Sequence, residues 1–113
     1  MTSHVSISDE AIDSDTQLVR AQGELDLYAA PEFKRLLAET IESGKVRIVV
    51  DLTDAAFMDS TALGVLVEAR SRMEDRQAFL LAAPGAETRR ALEVSGLDRH
   101  FNVRESVDEA LAS

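Results

Sequence analysis

The groups in this sequence best placed to do chemistry are a run of short polar side chains, Asp59, Ser60 and Thr61, directly ahead of an apolar stretch. Polar residues before such a stretch mark a helix start, where the first N–H groups lack intrahelical partners and the helix dipole places partial positive charge. A serine hydroxyl there has two uses. It can cap the helix, or it can carry a phosphate, whose oxygens would meet the same exposed N–H donors. By residue type alone, all three residues read as caps. Their expected place just after the main central strand favours the second use, because ligand and partner sites in open α/β sheets lie beyond the carboxyl ends of the strands. Asp59 reads as a cap and partner contact rather than as a catalytic base.

A second acidic corner, Gly23-Glu24-Leu25-Asp26, ends an earlier strand. Gly23 suits a bulge or a close approach, and Asp26 suits the cap of the next helix. If the sheet brings the two helix starts together, Asp26 lies near Ser60. Gly64, inside the second helix, suits close approach of another backbone, whether a partner's or the protein's own.

No constellation for catalysis is present. The two histidines, His4 and His100, have no partner at sequence level and read as surface residues. Ser60 is not in a Gly-x-Ser-x-Gly elbow, and no phosphate-cradling glycine loop occurs. Arg70-Ser71-Arg72 and Arg89-Arg90 read as solvated helix faces. Cysteine is absent, which excludes disulfides and thiolate metal sites. No cofactor is expected.

The elements that must position these groups follow from hydrophobic period. Val5-Ser6-Ile7 reads as an edge strand and Thr16–Gly23 as a second strand, with a turn at Asp13-Ser14-Asp15. Ala29, Phe33, Leu36, Leu37, Thr40 and Ile41 share one face of a first helix, with Pro31 in its opening turn and Gly44 as its stop. Val46–Leu52 is the strongest strand signal, and its Ile48-Val49-Val50 is apolar on both faces, as in a covered central strand. The second helix then starts near Asp59-Ser60, with Ala62–Val67 expected to be deeply buried. Ala78–Ala83 is another buried strand, ended by Pro84-Gly85. A third helix spans Ala86–Ser95, capped by Gly96, with Leu97 packing back on Leu92. Phe101-Asn102-Val103 is a short strand, and Ser106 with Glu109 forms a capping box that opens a final helix. Two strands followed by alternating helix and strand predict an α/β fold: a mixed β-sheet with parallel members, and helices packed mainly on one face.

The chain has 113 residues, 45% of them apolar, which fits one folded domain over residues 1–113. The net charge of -9 argues against direct nucleic-acid or anionic-membrane binding. It reads as a solvated surface, or as an acidic face for a basic partner. No signal peptide or membrane-length apolar run is seen, so the expected location is cytoplasmic.

The run Phe57-Met58-Asp59-Ser60-Thr61-Ala62-Leu63-Gly64-Val65-Leu66 resembles the STAS family, specifically the bacterial anti-sigma factor antagonists. Gly23-Glu24-Leu25-Asp26, Val49-Val50-Asp51-Leu52 and Ser95-Gly96-Leu97 match that family in order and spacing. The resemblance implies a STAS-like domain and a regulator that binds rather than catalyses. It implies that Ser60 is phosphorylated by the cognate anti-sigma factor, a serine kinase with a GHKL-type ATP site. The unphosphorylated form would bind that kinase and release a sigma factor for transcription, and a PP2C-type phosphatase would reset the switch. Asp26, Asp59, Ser60, Thr61 and Gly64 are then the expected partner surface. The alternative within the family is a STAS subunit docked constitutively in a lipid-transport or signalling complex, with Ser60 only a cap. Many relatives carry Gly where this chain has Ala62. The extra methyl should favour helix by up to about 1 kcal/mol and crowd a partner slightly.

Overall fold

The computed structural model describes residues 5–113. Strands β1 (Ser6–Ala11) and β2 (Thr16–Leu25) form an antiparallel hairpin. Helix α1 (Ala30–Glu42), strands β3 (Arg47–Asp51) and β4 (Ala55–Met58) and helix α2 (Ser60–Ser71) follow. The chain then runs through β5 (Phe79–Ala82), α3 (Ala86–Ser95), β6 (Asn102–Arg104) and α4 (Val107–Ala112). Sheet order is β1-β2-β3-β5-β6, with β4 paired to β2 off this path. Every pair except β1–β2 is parallel. The Cα radius of gyration is 12.7 Å, as expected of one domain of this length.

The alternation of side chains along the strands divides the core in two. Val19, Ala21, Ile48, Val50, Phe79 and Leu81 face the larger cluster, which α1, α2 and α3 cover with Phe33, Leu37, Leu66 and Leu92. Leu18, Val49, Leu80 and Ala82 face the other way, under α4, where Ala110 is fully buried. The helices therefore lie mainly on one face, and a single six-residue helix covers the second. Arg47 holds that helix in place by donating to the carbonyls of Ala110 and Leu111.

β4 corrects the expectation that one central strand leads directly into α2. The residues Ala55-Ala56-Phe57-Met58 show no clear alternation, and only three positions of β2 pair with them. Gly23, at φ +90°, precedes a register shift between Gly23 and Glu24. The bulge expected at Gly23 is what lets β2 continue beyond its pairing with β3, which ends at Arg20, and meet β4 from Gly23 to Leu25. Ser60 thus follows β4, not the main central strand.

The other punctuation follows its local chemistry. Gly44 and Gly96 adopt φ of +91° and +78° at the ends of α1 and α3, as left-handed helix stops require. Leu97 is half-buried against the core that holds Leu92. Ser106 caps α4 by accepting the Glu109 N–H at 3.1 Å. The Glu109 carboxylate, however, takes the N–H of Glu105 rather than that of Ser106, so the expected capping box is displaced by one residue.

Candidate functional site

Two strand-to-helix turns are built side by side at one end of the sheet. Leu25 of β2 lies opposite Met58 of β4, and the Asp59 N–H donates to the Leu25 carbonyl at 3.1 Å. The next residue on each strand is acidic: Asp26 on β2 and Asp59 on β4. The sheet therefore brings together the beginnings of the β2–α1 and β4–α2 turns, which is the condition under which the sequence set Asp26 near Ser60.

Asp59 is the cap of α2. Its backbone is extended (φ −85°, ψ −179°), and its Oδ1 accepts the Ala62 N–H at 3.0 Å. Ser60 is the first helical residue and is exposed. Capping is done by the aspartate, so the Ser60 hydroxyl is not needed to hold the helix start. The N–H groups of Ser60 and Thr61 lie in the first turn, where no intrahelical acceptor exists. Asp26 acts one turn earlier than a cap. Its Oδ1 accepts the N–H groups of Tyr28 at 3.0 Å and Ala29 at 3.1 Å, while Ala29, the cap residue of α1, makes no side-chain cap bond. Asp26 thus shapes the turn into α1 instead of capping the helix itself.

Thr61 and Gly64 are exposed on the outer face of α2. A Cβ added at Gly64 would meet no heavy atom within 4 Å, and its backbone is ordinary helix. Tight intramolecular packing therefore does not account for this glycine, although glycine costs a helix about 0.8–1 kcal/mol relative to alanine. Ala62 lies on the opposite side, fully buried in the main core. Its methyl belongs to the buried core rather than to the surface, so the crowding of a partner expected there does not arise.

The structure adds a feature that the sequence reading missed. An open groove of about 580 Å³ runs between α1 and α2, lined by Leu27, Pro31, Thr61, Gly64 and Val65. Leu27 is 56% exposed and the adjacent Tyr28 84% exposed. The Lys34–Glu68 ion pair, 3.6 Å long, bridges the two helices and also lines the groove. Leu27 and Tyr28 lie in the turn ahead of α1, so the helical period gave no signal of their exposure.

Other candidate residues fall elsewhere. His100 is exposed, with its Nε2 3.3 Å from Arg70 and its ring edge-on to Phe101. Arg70 lies ten residues along α2 from Ser60, about 15 Å of helix. His4 is outside the described residues. Among the described residues, no group of three or more His, Asp or Glu side chains is placed to hold a metal ion, and no helix is long and apolar enough to cross a membrane.

Comparison with known proteins places this geometry in context. The STAS domain family model matches residues 8–110. The anti-sigma-B factor antagonist of Listeria monocytogenes is 34% identical over 103 residues, spanning 89% of this chain and 90% of that protein. The anti-sigma-F factor antagonist RsfB of Mycobacterium tuberculosis is 28% identical over 89 residues, 79% of this chain and 73% of that protein. The crystal structure of an anti-sigma factor antagonist from Mycobacterium paratuberculosis superposes with a TM-score of 0.88 at 25% identity, covering 96% of this chain and 92% of that one.

Proposed function

Because the chain belongs to the STAS domain family, we propose that it is an anti-sigma factor antagonist, a cytoplasmic protein that regulates by binding and not by turnover. The observation that carries this reading is the division of labour at the start of α2. Asp59 caps the helix, leaving Ser60 exposed at its first position with a free role. A kinase can then take the Ser60 hydroxyl without removing anything that holds the fold.

In the proposed cycle the unphosphorylated surface around Asp26, Asp59, Ser60, Thr61 and Gly64 binds the anti-sigma factor, a serine kinase of GHKL type, so that a sigma factor is released. The kinase transfers the γ-phosphoryl group of ATP to Ser60 Oγ. The new P–O bond forms as the bridging bond to ADP breaks, and the kinase takes the hydroxyl proton. The product adds about −1.5 to −2 charges beside Asp59, on a chain already at -9. In the binding pose Ser60 faces the nucleotide phosphates of the kinase, so the new phosphate is repelled both from them and from Asp59, and the complex separates. The Ser60 and Thr61 N–H groups and the helix dipole offer the phosphate local compensation, so little refolding accompanies the switch. A PP2C-type phosphatase restores the hydroxyl.

A pull-down from native lysate with wild type and Ser60→Asp side by side tests the reading. Wild type should retain an anti-sigma factor, and Ser60→Asp should retain much less. Equal retention by both would remove the charge switch, and retention of a membrane ATPase complex instead would favour a constitutive docking subunit.

A further inference from the structure

Helix α4 has six residues, well short of the roughly 12–15 at which an isolated helix becomes marginally stable in water. It stays folded because of what it rests on, strands β3, β5 and β6. Its apolar side is small: Ala110 is fully buried, but Val107 and Leu111 are only partly so. Beneath it lie four sheet residues, Leu18, Val49, Leu80 and Ala82, in a cluster separate from the main core. Beside it, an open cavity of about 400 Å³ is lined by Arg47, Leu80, Asn102, Arg104 and Ser113. That flank of the helix has no packed neighbour.

Polar bonds make up the difference. Arg47 reaches from β3 to the carbonyls of Ala110 and Leu111, the latter at 3.0 Å. These carbonyls belong to the negative end of the helix dipole, where a cation is favoured. Arg104 Nε adds a bond to Ser113 Oγ at 2.9 Å. We infer that α4 is a strap latched by Arg47, which opens as a unit about the Glu105-Ser106 bend and bares Leu18, Val49 and Leu80. The sheet keeps its shape when this happens. Ile48, Val50, Phe79 and Leu81, the alternate side chains of β3 and β5, remain buried in the main core under the other three helices. Ser60 lies on α2, over that other face, so its surroundings stay intact. Opening of this kind, through a small unit with few buried contacts, lies below global unfolding in free energy. It gives the protein an apolar strip on the second face of the sheet that is accessible only while α4 is lifted.

The chain has no cysteine, so a single introduced thiol reports on this. Val49→Cys and Val50→Cys place thiols on adjacent residues of β3, both fully buried, one under α4 and one in the main core. Each variant, with and without Arg47→Met, is treated in native buffer with excess of a water-soluble aromatic disulfide. Rates are divided by those of the same variant unfolded in urea. The thiol of Val49→Cys should react at least about 100-fold faster than that of Val50→Cys. Arg47→Met should speed the first by a further factor of about ten and leave the second within about threefold. Amide exchange at Ala110, whose N–H donates to the Ser106 carbonyl at 3.1 Å, should speed up with the first. Equal labelling of the two thiols would mean that the second core opens only with the whole fold, which overturns the strap. A rate for Val49→Cys that ignores Arg47→Met, or an Arg47→Met that speeds both thiols alike, overturns Arg47 as its latch.

Discussion

At the scale of single residues, the account turns on which side chain holds the start of α2. Asp59 accepts the Ala62 N–H, and Ser60 stands beside it with nothing to hold. Substituting the two should therefore have unequal effects on stability. Asp59→Ala should cost about 1 kcal/mol, the usual worth of a cap. Ser60→Ala should stay within about 0.5 kcal/mol of wild type, as exposed substitutions do. Urea denaturation of both variants checks this, and an equal loss would place Ser60 back in the cap. This pair was legible in the sequence because capping is local chemistry, set by a few neighbouring residues. The exposure of Leu27 and Tyr28 was not, because it depends on where α1 and α2 come to rest. The same holds for Ala62 and Gly64, two residues apart on α2: only the packed helix shows that one faces the core and the other open space.

At the scale of elements, the turns decide where the site forms. The β1–β2 turn is fixed by Asp13, whose Oδ1 accepts the N–H groups of Asp15 and Thr16, each at 2.8 Å. These bonds, that to Asp15 foremost, hold the Asp13 carboxyl below the usual carboxylate range. A carboxylate depressed in the folded state contributes stability above its unfolded pKa and loses it as pH falls through the folded value. The turn should therefore be intact at neutral pH and loosen only below the ordinary aspartate range, near pH 4 and lower. The amide shifts of Asp15 and Thr16 followed by NMR across acid pH report this. Titration of those amides at or above the ordinary aspartate value would contradict it. The Asp13-Ser14-Asp15 turn was readable from residue type, as were the glycine stops at Gly44 and Gly96. β4 was not. Four residues without alternation become a strand only because β2 runs on past a bulge at Gly23 to receive them. That pairing is non-local, and it is what sets Asp26 beside Asp59.

For the whole molecule, the parallel strands direct all their carboxyl ends to one edge, and the two turns that meet there carry an exposed serine and two aspartates, Asp26 and Asp59, next to an open groove between α1 and α2. Fold class was visible in the order of periodic segments, and the two-sided burial of β3 was visible in Ile48-Val49-Val50, which serve both cores. The proposed binding surface was visible only where polar residues marked it. The central claim is that Ser60 is the switch. It is tested most directly by mass spectrometry of the chain after incubation with its purified cognate anti-sigma factor, ATP and Mg²⁺. The account predicts a single phosphate, on Ser60, and an unmodified Ser60→Ala variant. A phosphate that persists in Ser60→Ala, on Thr61 or elsewhere, or a wild-type chain that binds the kinase yet takes up no phosphate, would contradict it.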